Sequence, residues 1–227
     1  MSRRAGAHVV AAAILSAIAL AAPSAHAQFT ATGDAQHASD PSIDKRTTRS
    51  GLVIGIIAGF GVAGASGYPN SSSEIGDPDY YSSSDLLVGS GSALFIGGAL
   101  ADWINFGFWI GRENFRSHDW HSTGGGGGFR VEAFPLFSLY PTLKNLGLEA
   151  QFGIGGTSLQ AQGGNYPEAS GTESFIGIGA FYEIPLFHAL GGHVVLGPMA
   201  EYDAIYSTSI ARGAGILGLR FAFYGGM

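Results

Sequence analysis

From Gly51 to Tyr224 the chain alternates large apolar residues with small or polar ones at a period of two. In a strand, that period places the two sets on opposite faces of a sheet. The first segment shows it plainly: Leu52, Ile54, Ile56, Ala58, Phe60 and Val62 share one parity, and Gly51, Val53, Gly55, Ile57, Gly59, Gly61 and Ala63 the other. A second, less regular segment covers about 86–101, and a third, 103–115, sets Ile104, Phe106, Phe108 and Ile110 against Asn105, Gly107, Trp109, Gly111 and Glu113. The fourth, 125–138, sets Phe129, Val131, Ala133 and Phe137 against Arg130, Glu132, Phe134 and Leu136. The fifth, 146–159, opposes Leu146, Leu148, Ala150, Phe152 and Ile154 to Gly147, Glu149, Gln151, Gly153 and Gly155. In the sixth, 173–187, Ile176, Ile178, Ala180, Tyr182 and Ile184 oppose Gly177, Gly179, Phe181 and Glu183. The seventh, 193–207, sets Val194, Leu196, Ala200, Tyr202 and Tyr206 against Gly197, Met199, Glu201 and Asp203. The eighth, 211–224, sets Gly213, Gly215, Leu217, Leu219, Phe221 and Phe223 against Arg220 and small residues.

Eight strands are therefore expected, and their connections alternate in length. Those at 66–85, 116–124 and 160–172 are long and polar, whereas the Asp102 turn, 139–145 and 188–192 are short. Pro135, Pro185 and Pro198 fall within the segments and call for bulges or rim positions, because proline cannot donate to a ladder.

The sign of the alternation selects the class. The apolar parity is nearly free of charge, while the other carries Arg130, Glu132, Glu149, Glu183, Glu201, Asp203 and Arg220. A soluble barrel of lipocalin type would put its ions outside. Oil outside and ions inside describe an all-β, closed antiparallel up-and-down eight-stranded transmembrane barrel, in which closure pairs every backbone group. The long connections then face outward from the cell and the short ones face the periplasm. A helical bundle is disfavoured, since no segment after Ala27 offers ~20 apolar residues uninterrupted by glycine.

Composition narrows the function classes. The 227 residues contain no cysteine, which removes disulfides, thiolate metal sites and thiol nucleophiles. A formal charge of −6 with 11 Lys and Arg scattered along the chain leaves no basic stripe for nucleic acid. The start reads as a secretory signal peptide over 1–27: Arg3 and Arg4, an apolar run from Val9 to Ala22, then Ala25-His26-Ala27 as the cleavage site. Cleavage would remove those two arginines and take the net charge from −6 to −8. Residues 28–50 read as a flexible periplasmic tail and 225–227 as a short C-terminal one.

Signal peptide, eight segments, unequal connections and the ending Gly218-Leu219-Arg220-Phe221-Ala222-Phe223-Tyr224 together resemble the small OmpA/OmpX-type outer-membrane barrels of Gram-negative bacteria. The resemblance is one of pattern and covers about 51–224. It implies outer-membrane lipid and lipopolysaccharide as surroundings, and a last strand recognised by the barrel assembly machinery through Gly218, Phe221 and Phe223. The terminal aromatic usual in that family is replaced by Gly225-Gly226-Met227, and no peptidoglycan-binding domain is expected after the eighth strand.

Local motifs add little chemistry. Gly59-Phe60-Gly61-Val62-Ala63-Gly64 matches a dinucleotide fingerprint, but no helix opens after it. Gly124 to Gly128 reads as a joint between the second long loop and the fourth strand. Arg116-Ser117-His118-Asp119-Trp120-His121-Ser122 is the densest stretch: two histidines with Asp119 suggest a metal, and His121 with Ser122 a nucleophile pair. An exposed polar loop is the simpler reading, so no catalytic, cofactor or metal residue is assigned. Arg130, Glu132, Glu149, Glu183, Glu201, Asp203 and Arg220 form the expected lumen ion network. Asp79, Tyr80, Tyr81, His118, Trp120 and His121 are the candidate loop contacts. Trp103, Tyr140, Phe187 and Tyr224 at one rim, and Phe115, Tyr202 and Tyr206 at the other, suggest interfacial girdles. The favoured role is structural or surface-interacting through the loops, with a narrow porin-like channel for small solutes or cations as the first alternative and a lipid A-modifying enzyme as the second.

Overall fold

The computed structural model describes residues 49–226 except Asn165. The proposed signal peptide 1–27, tail residues 28–48 and Met227 lie outside the described residues. Eight long antiparallel strands form the wall: β1 Gly51–Gly67, β2 Leu87–Ala101, β3 Ile104–Arg116, β4 Trp120–Ala133, β5 Leu146–Ala161, β6 Ala169–Tyr182, β7 Gly192–Tyr206 and β8 Ile210–Gly225. Each pairs with its sequence neighbours, and β8 pairs with β1 from Leu52↔Gly225 to Gly67↔Ile210. The sheet is thus closed, and the wall has no free edge. Two short pieces are appended: Ser82–Ser83 beside β1, and Ile184–Ala189, which carries the line of β6 onward along β7.

Alternation decides which way each residue points. Along β1, Leu52, Ile54, Ile56, Phe60 and Val62 are exposed, whereas Val53 and Ile57 are buried inside. Phe60 is 79% exposed, Ile154 72% and Leu217 71%, values that leave the largest apolar side chains of the wall bare. Phe108, Phe129 and Phe152 sit side by side on β3, β4 and β5, with successive ring centroids 4.7 and 5.6 Å apart on the outer surface. From Leu52 to Val62, ten steps of ~3.3 Å at a tilt of ~40° give an apolar band about 25 Å tall, the height of a membrane-barrel belt.

Inside, glycine makes room. A Cβ on Gly55 would overlap the Phe95 ring, one on Gly147 the Phe181 ring, and one on Gly124 the Arg212 guanidinium. An eight-stranded wall leaves a bore just wide enough to be filled, so each large inward side chain needs a small one opposite.

Several expectations change. The loop expected at 116–124 is only the three residues 117–119, because β3 and β4 run on and place Trp120 and His121 in the wall. Gly124 to Gly128 belong to β4 rather than to a joint. Gly126 and Gly128 face Gly155 and Gly153 of β5 so closely that a side chain at either would overlap backbone. At the opposite end the turn at 134–145 is longer than expected; Phe134, Leu136 and Phe137 leave the strand there, as does Pro135. The contrast in connection length therefore rests on 68–86 alone, since 134–145 is longer than 162–168. Pro198 remains inside β7, facing the interruption at Glu183 between the pairs Phe181↔Met199 and Ile184↔Leu196. Pro185 follows that interruption, and the hairpin then closes at Leu190-Gly191, both at positive φ (52° and 72°). Val194 is buried rather than outward-exposed, with Phe187 and Phe223 opposite it on its two neighbours. Trp103, Tyr140, Phe187, Tyr202 and Tyr206 are exposed near the rims, but Phe115 and Tyr224 are each 0% exposed and point inward, so neither belongs to a girdle.

Candidate functional site: ions in the lumen

Strand parity delivers five charged side chains from four places to one axis. Arg130 and Glu132 alternate with outward Phe129 and Val131 on β4, Glu149 comes from β5, Arg220 from β8, and Glu183 from the break after β6. All five are at least 95% buried. Arg130 donates from Nε to Glu132 Oε1 (3.0 Å) and from Nη2 to Glu149. Arg220 spans two carboxylates: Nε and Nη2 reach Glu132 Oε1 and Oε2 (3.2 and 2.7 Å), and Nη1 reaches Glu183 Oε1 (2.6 Å).

The row continues to Arg49, the residue two before β1. Its Nε and Nη2 donate to Glu183 Oε2 (3.0 and 2.9 Å), its Nη1 to the Asp102 carbonyl (3.2 Å), and its guanidinium lies 3.5 Å above the Phe134 ring. Two neutral groups complete the set. Tyr224 Oη donates to Glu183 Oε1 (2.5 Å), while Asn105 Nδ2 donates to Glu132 Oε2 (3.0 Å) and to Tyr224 Oη (3.1 Å). Arg49, Glu183, Arg220, Glu132, Arg130 and Glu149 thus form an unbranched ladder of alternating sign with no net charge. Phe95 and Phe181 wall it in, with Arg220 4.9 and 4.4 Å from their ring centroids. A charge taken from water is tolerable only when paired and hydrogen-bonded, and here each carboxylate of the ladder touches at least one guanidinium.

A second cluster lies further along the lumen towards the 68–86 loop. Arg212 Nη2 pairs with Glu113, and Gln151 Nε2 donates to Glu201. Asp203 lies with them around a cavity of about 30 Å³ that Trp109 and Phe175 also line. This cluster sets three carboxylates against one guanidinium, and Asp203 Oδ1, Gln151 Oε1 and Arg212 Nε and Nη1 have no hydrogen-bond partner. A further cavity beside Arg130 and Glu132 measures about 10 Å³.

The sequence-derived residues are therefore divided. Arg130, Glu132, Glu149, Glu183 and Arg220 meet in the ladder, whereas Glu201 and Asp203 join the second cluster. Arg49, Glu113, Arg212, Asn105 and Tyr224 complete the two groups, beyond the seven ions expected from the sequence. Arg212 carried a readable signal, since it shares the parity of Arg220 eight residues later on the same strand.

The candidate loop residues do not converge. Asp79 and Tyr80 lie on a single 3₁₀ turn, Pro78–Tyr80, and the ring of Tyr81 lies 5.2 Å from that of Tyr68. His118 is at an exposed hairpin tip, and Trp120 is buried with its ring 5.4 Å from Tyr166. His121 bonds Asn114 on the outer face (3.2 Å), while Ser122 is buried on the inner face. Alternation therefore separates the two halves of the nucleophile pair. Among the described residues, no three His, Asp or Glu side chains converge to hold a metal.

No protein-family model matches the chain, and no curated protein is significantly similar to it. Among solved structures it is similar to Neisserial surface protein A (12% identity, TM-score 0.46, covering 75% of this chain and 96% of that one). It is also similar to Ail, the attachment invasion locus protein of Yersinia pestis (12%, 0.43, 76% and 99%). A third similar structure is the N-terminal β-barrel domain of OprF from Pseudomonas aeruginosa (14%, 0.43, 77% and 99%). Likeness at this level assigns no activity.

Proposed function

We propose that this chain is an integral outer-membrane β-barrel of a Gram-negative bacterium, exported by the segment 1–27, with a lumen braced shut and a role exercised from its outer surface and loops. The observation that carries the reading is the inversion of the wall: a band of bare Leu, Ile and Phe outside, and a charge-balanced ion ladder inside. Water would penalise that band, whereas hydrocarbon accepts it and at the same time requires every backbone group to be paired, as closure does. The filled ladder supports a structural or surface-interacting role over a porin-like channel, because paired side chains span the bore between β4 and β8. The split between His121 and Ser122 supports the same choice over lipid A chemistry. The inward Tyr224 leaves Phe221 and Phe223 as the outward aromatic pair that assembly machinery would read on β8.

The test is electrophoresis of the purified protein with and without boiling, together with conductance in planar bilayers. A heat-dependent change in mobility and an electrically silent bilayer are expected. Identical mobilities would end the barrel-in-membrane reading, and steady cation-selective steps would replace the closed lumen with a channel.

A further inference from the structure

Across β5, β6 and β7 the register lines up Gln151, Gly177 and Asp203 in one row, and Glu149, Gly179 and Glu201 in the next. The period of two turns all six inward, and the glycine at the centre of each row lets the side chains on either side meet above it. A Cβ on Gly177 would overlap Asp203 Oδ1 and lie 3.1 Å from Gln151 Cγ. Glu149 is held by Arg130. Gln151, Glu201 and Asp203 are left as a group, joined by the bond from Gln151 Nε2 to Glu201.

Charge and hydrogen bonding are both incomplete there. The ladder is neutral and Arg212 balances Glu113, so Glu201 and Asp203 carry an excess of two negative charges in the lumen. A fold does not sustain buried charge without compensation. Asp203 (3% exposed) and Gln151 (2%) also keep one oxygen each, Oδ1 and Oε1, without a hydrogen-bond partner, and both residues line the cavity of about 30 Å³ with Glu201. One divalent cation cancels both charges and gives both oxygens a partner, whereas protons would have to occupy both acids. Arg212 lines the same cavity, but its charge is matched by Glu113, and its unpartnered Nε and Nη1 can donate to water in the shell of an ion.

The donors are two carboxylates and an amide oxygen, a set that selects calcium or magnesium over zinc or copper. Calcium accepts irregular shells of about six to eight oxygens, whereas magnesium demands a near-ideal octahedron that side chains fixed on two strands do not supply. A water-sized group needs ~10–15 Å³, so the cavity has room for an ion and a water molecule. We infer that Gln151, Glu201 and Asp203 form a luminal site for one calcium-like divalent cation, between the ion ladder and the outer mouth. Glu113 stays with Arg212. The inference rests on the closed lumen proposed above and adds a ligand to it.

Isothermal titration calorimetry of the folded chain in chelator-washed neutral detergent tests it, with calcium chloride and magnesium chloride as probes. Wild type should take up one calcium ion per chain and bind magnesium at least tenfold more weakly. Asp203→Asn and Gln151→Leu should each weaken calcium binding at least tenfold, whereas Glu74→Gln/Asp85→Asn in the 68–86 loop should bind as wild type. Urea unfolding of the same samples separates ligation from packing. In chelator Asp203→Asn should match or exceed wild type, and with calcium that order should reverse. No calcium uptake, unchanged uptake in both luminal variants, or its loss in the loop variant would overturn the site. Stabilisation by acid in place of calcium would also overturn it, by assigning the compensation to protons. A heat-dependent mobility without calcium uptake sinks this inference alone, whereas identical mobilities with and without boiling sink the barrel reading and this inference with it.

Discussion

Replacing Glu132 by Gln is the sharpest probe of the ladder. The carboxylate is 2% exposed and accepts from Arg130 Nε (3.0 Å), Arg220 Nε (3.2 Å) and Nη2 (2.7 Å), and Asn105 Nδ2 (3.0 Å). Glutamine keeps the shape but withdraws the charge, leaving one guanidinium uncompensated, and its NH2 faces groups that can only donate. Breaking a buried pair in this way costs about 3–5 kcal/mol. With a urea dependence of about 3 kcal/mol per M, the unfolding midpoint falls by about 1–1.7 M. Fluorescence of Trp103, Trp109 and Trp120 in detergent micelles reads the transition, and retained mobility on unboiled gels shows that the variant still folds. The control is Asp203→Asn in the second cluster, where carboxylates exceed guanidiniums by three to one and Asp203 Oδ1 has no partner. That change should cost under about 1 kcal/mol or stabilise, because it relieves like-charge repulsion. A Glu132→Gln loss below about 1 kcal/mol, or equal losses in the two variants, would refute the account of a neutral ladder beside an over-acidic cluster.

Tyr224→Phe removes the hydroxyl that joins Asn105 to Glu183 and should cost about 1.5–3 kcal/mol, the range for hydrogen bonds to charged groups, in the same unfolding measurement. Ile56→Arg, halfway along the outer row of β1, should destabilise by about 2–4 kcal/mol in a bilayer, whereas Val62→Arg at the edge should cost about 0–1, as read by unfolding from vesicles. Gly147→Leu drives a side chain into the Phe181 ring and should abolish the fast-migrating unboiled band, and Phe181→Ala in the same chain should restore part of it.

The wall was legible because its two faces differ so sharply. Outward Phe106, Phe108 and Ile110 against inward Asn105, Trp109 and Glu113 give β3 its faces from period alone. The strand ends were harder to read. Polar, glycine-rich stretches such as 121–128 look like loop, yet an inward glycine is what a narrow, crowded bore demands, and the Arg212 guanidinium occupies the space that Gly124 leaves. Tyr224 is ambiguous for a related reason: an aromatic at a rim suits either lipid or lumen, and only the register of β8, which alternates Phe221 and Phe223 outward, settles its side. Arg49 gave no signal at all. It precedes the first alternating residue, and its role depends on Glu183, 134 positions later.

In the ring of eight, β4 and β8 stand directly across from one another, and the Arg220–Glu132 contact joins them. Such a link acts as a spoke rather than a stave. A hoop held only at its rim flattens readily into an ellipse under sideways load, whereas one tied across its diameter keeps a round section. With Arg212–Glu113 tying β8 to β3 further along, this barrel should meet shifts in lateral membrane pressure as a stiff cylinder, and the β1–β8 seam should not gape to admit a lipid tail.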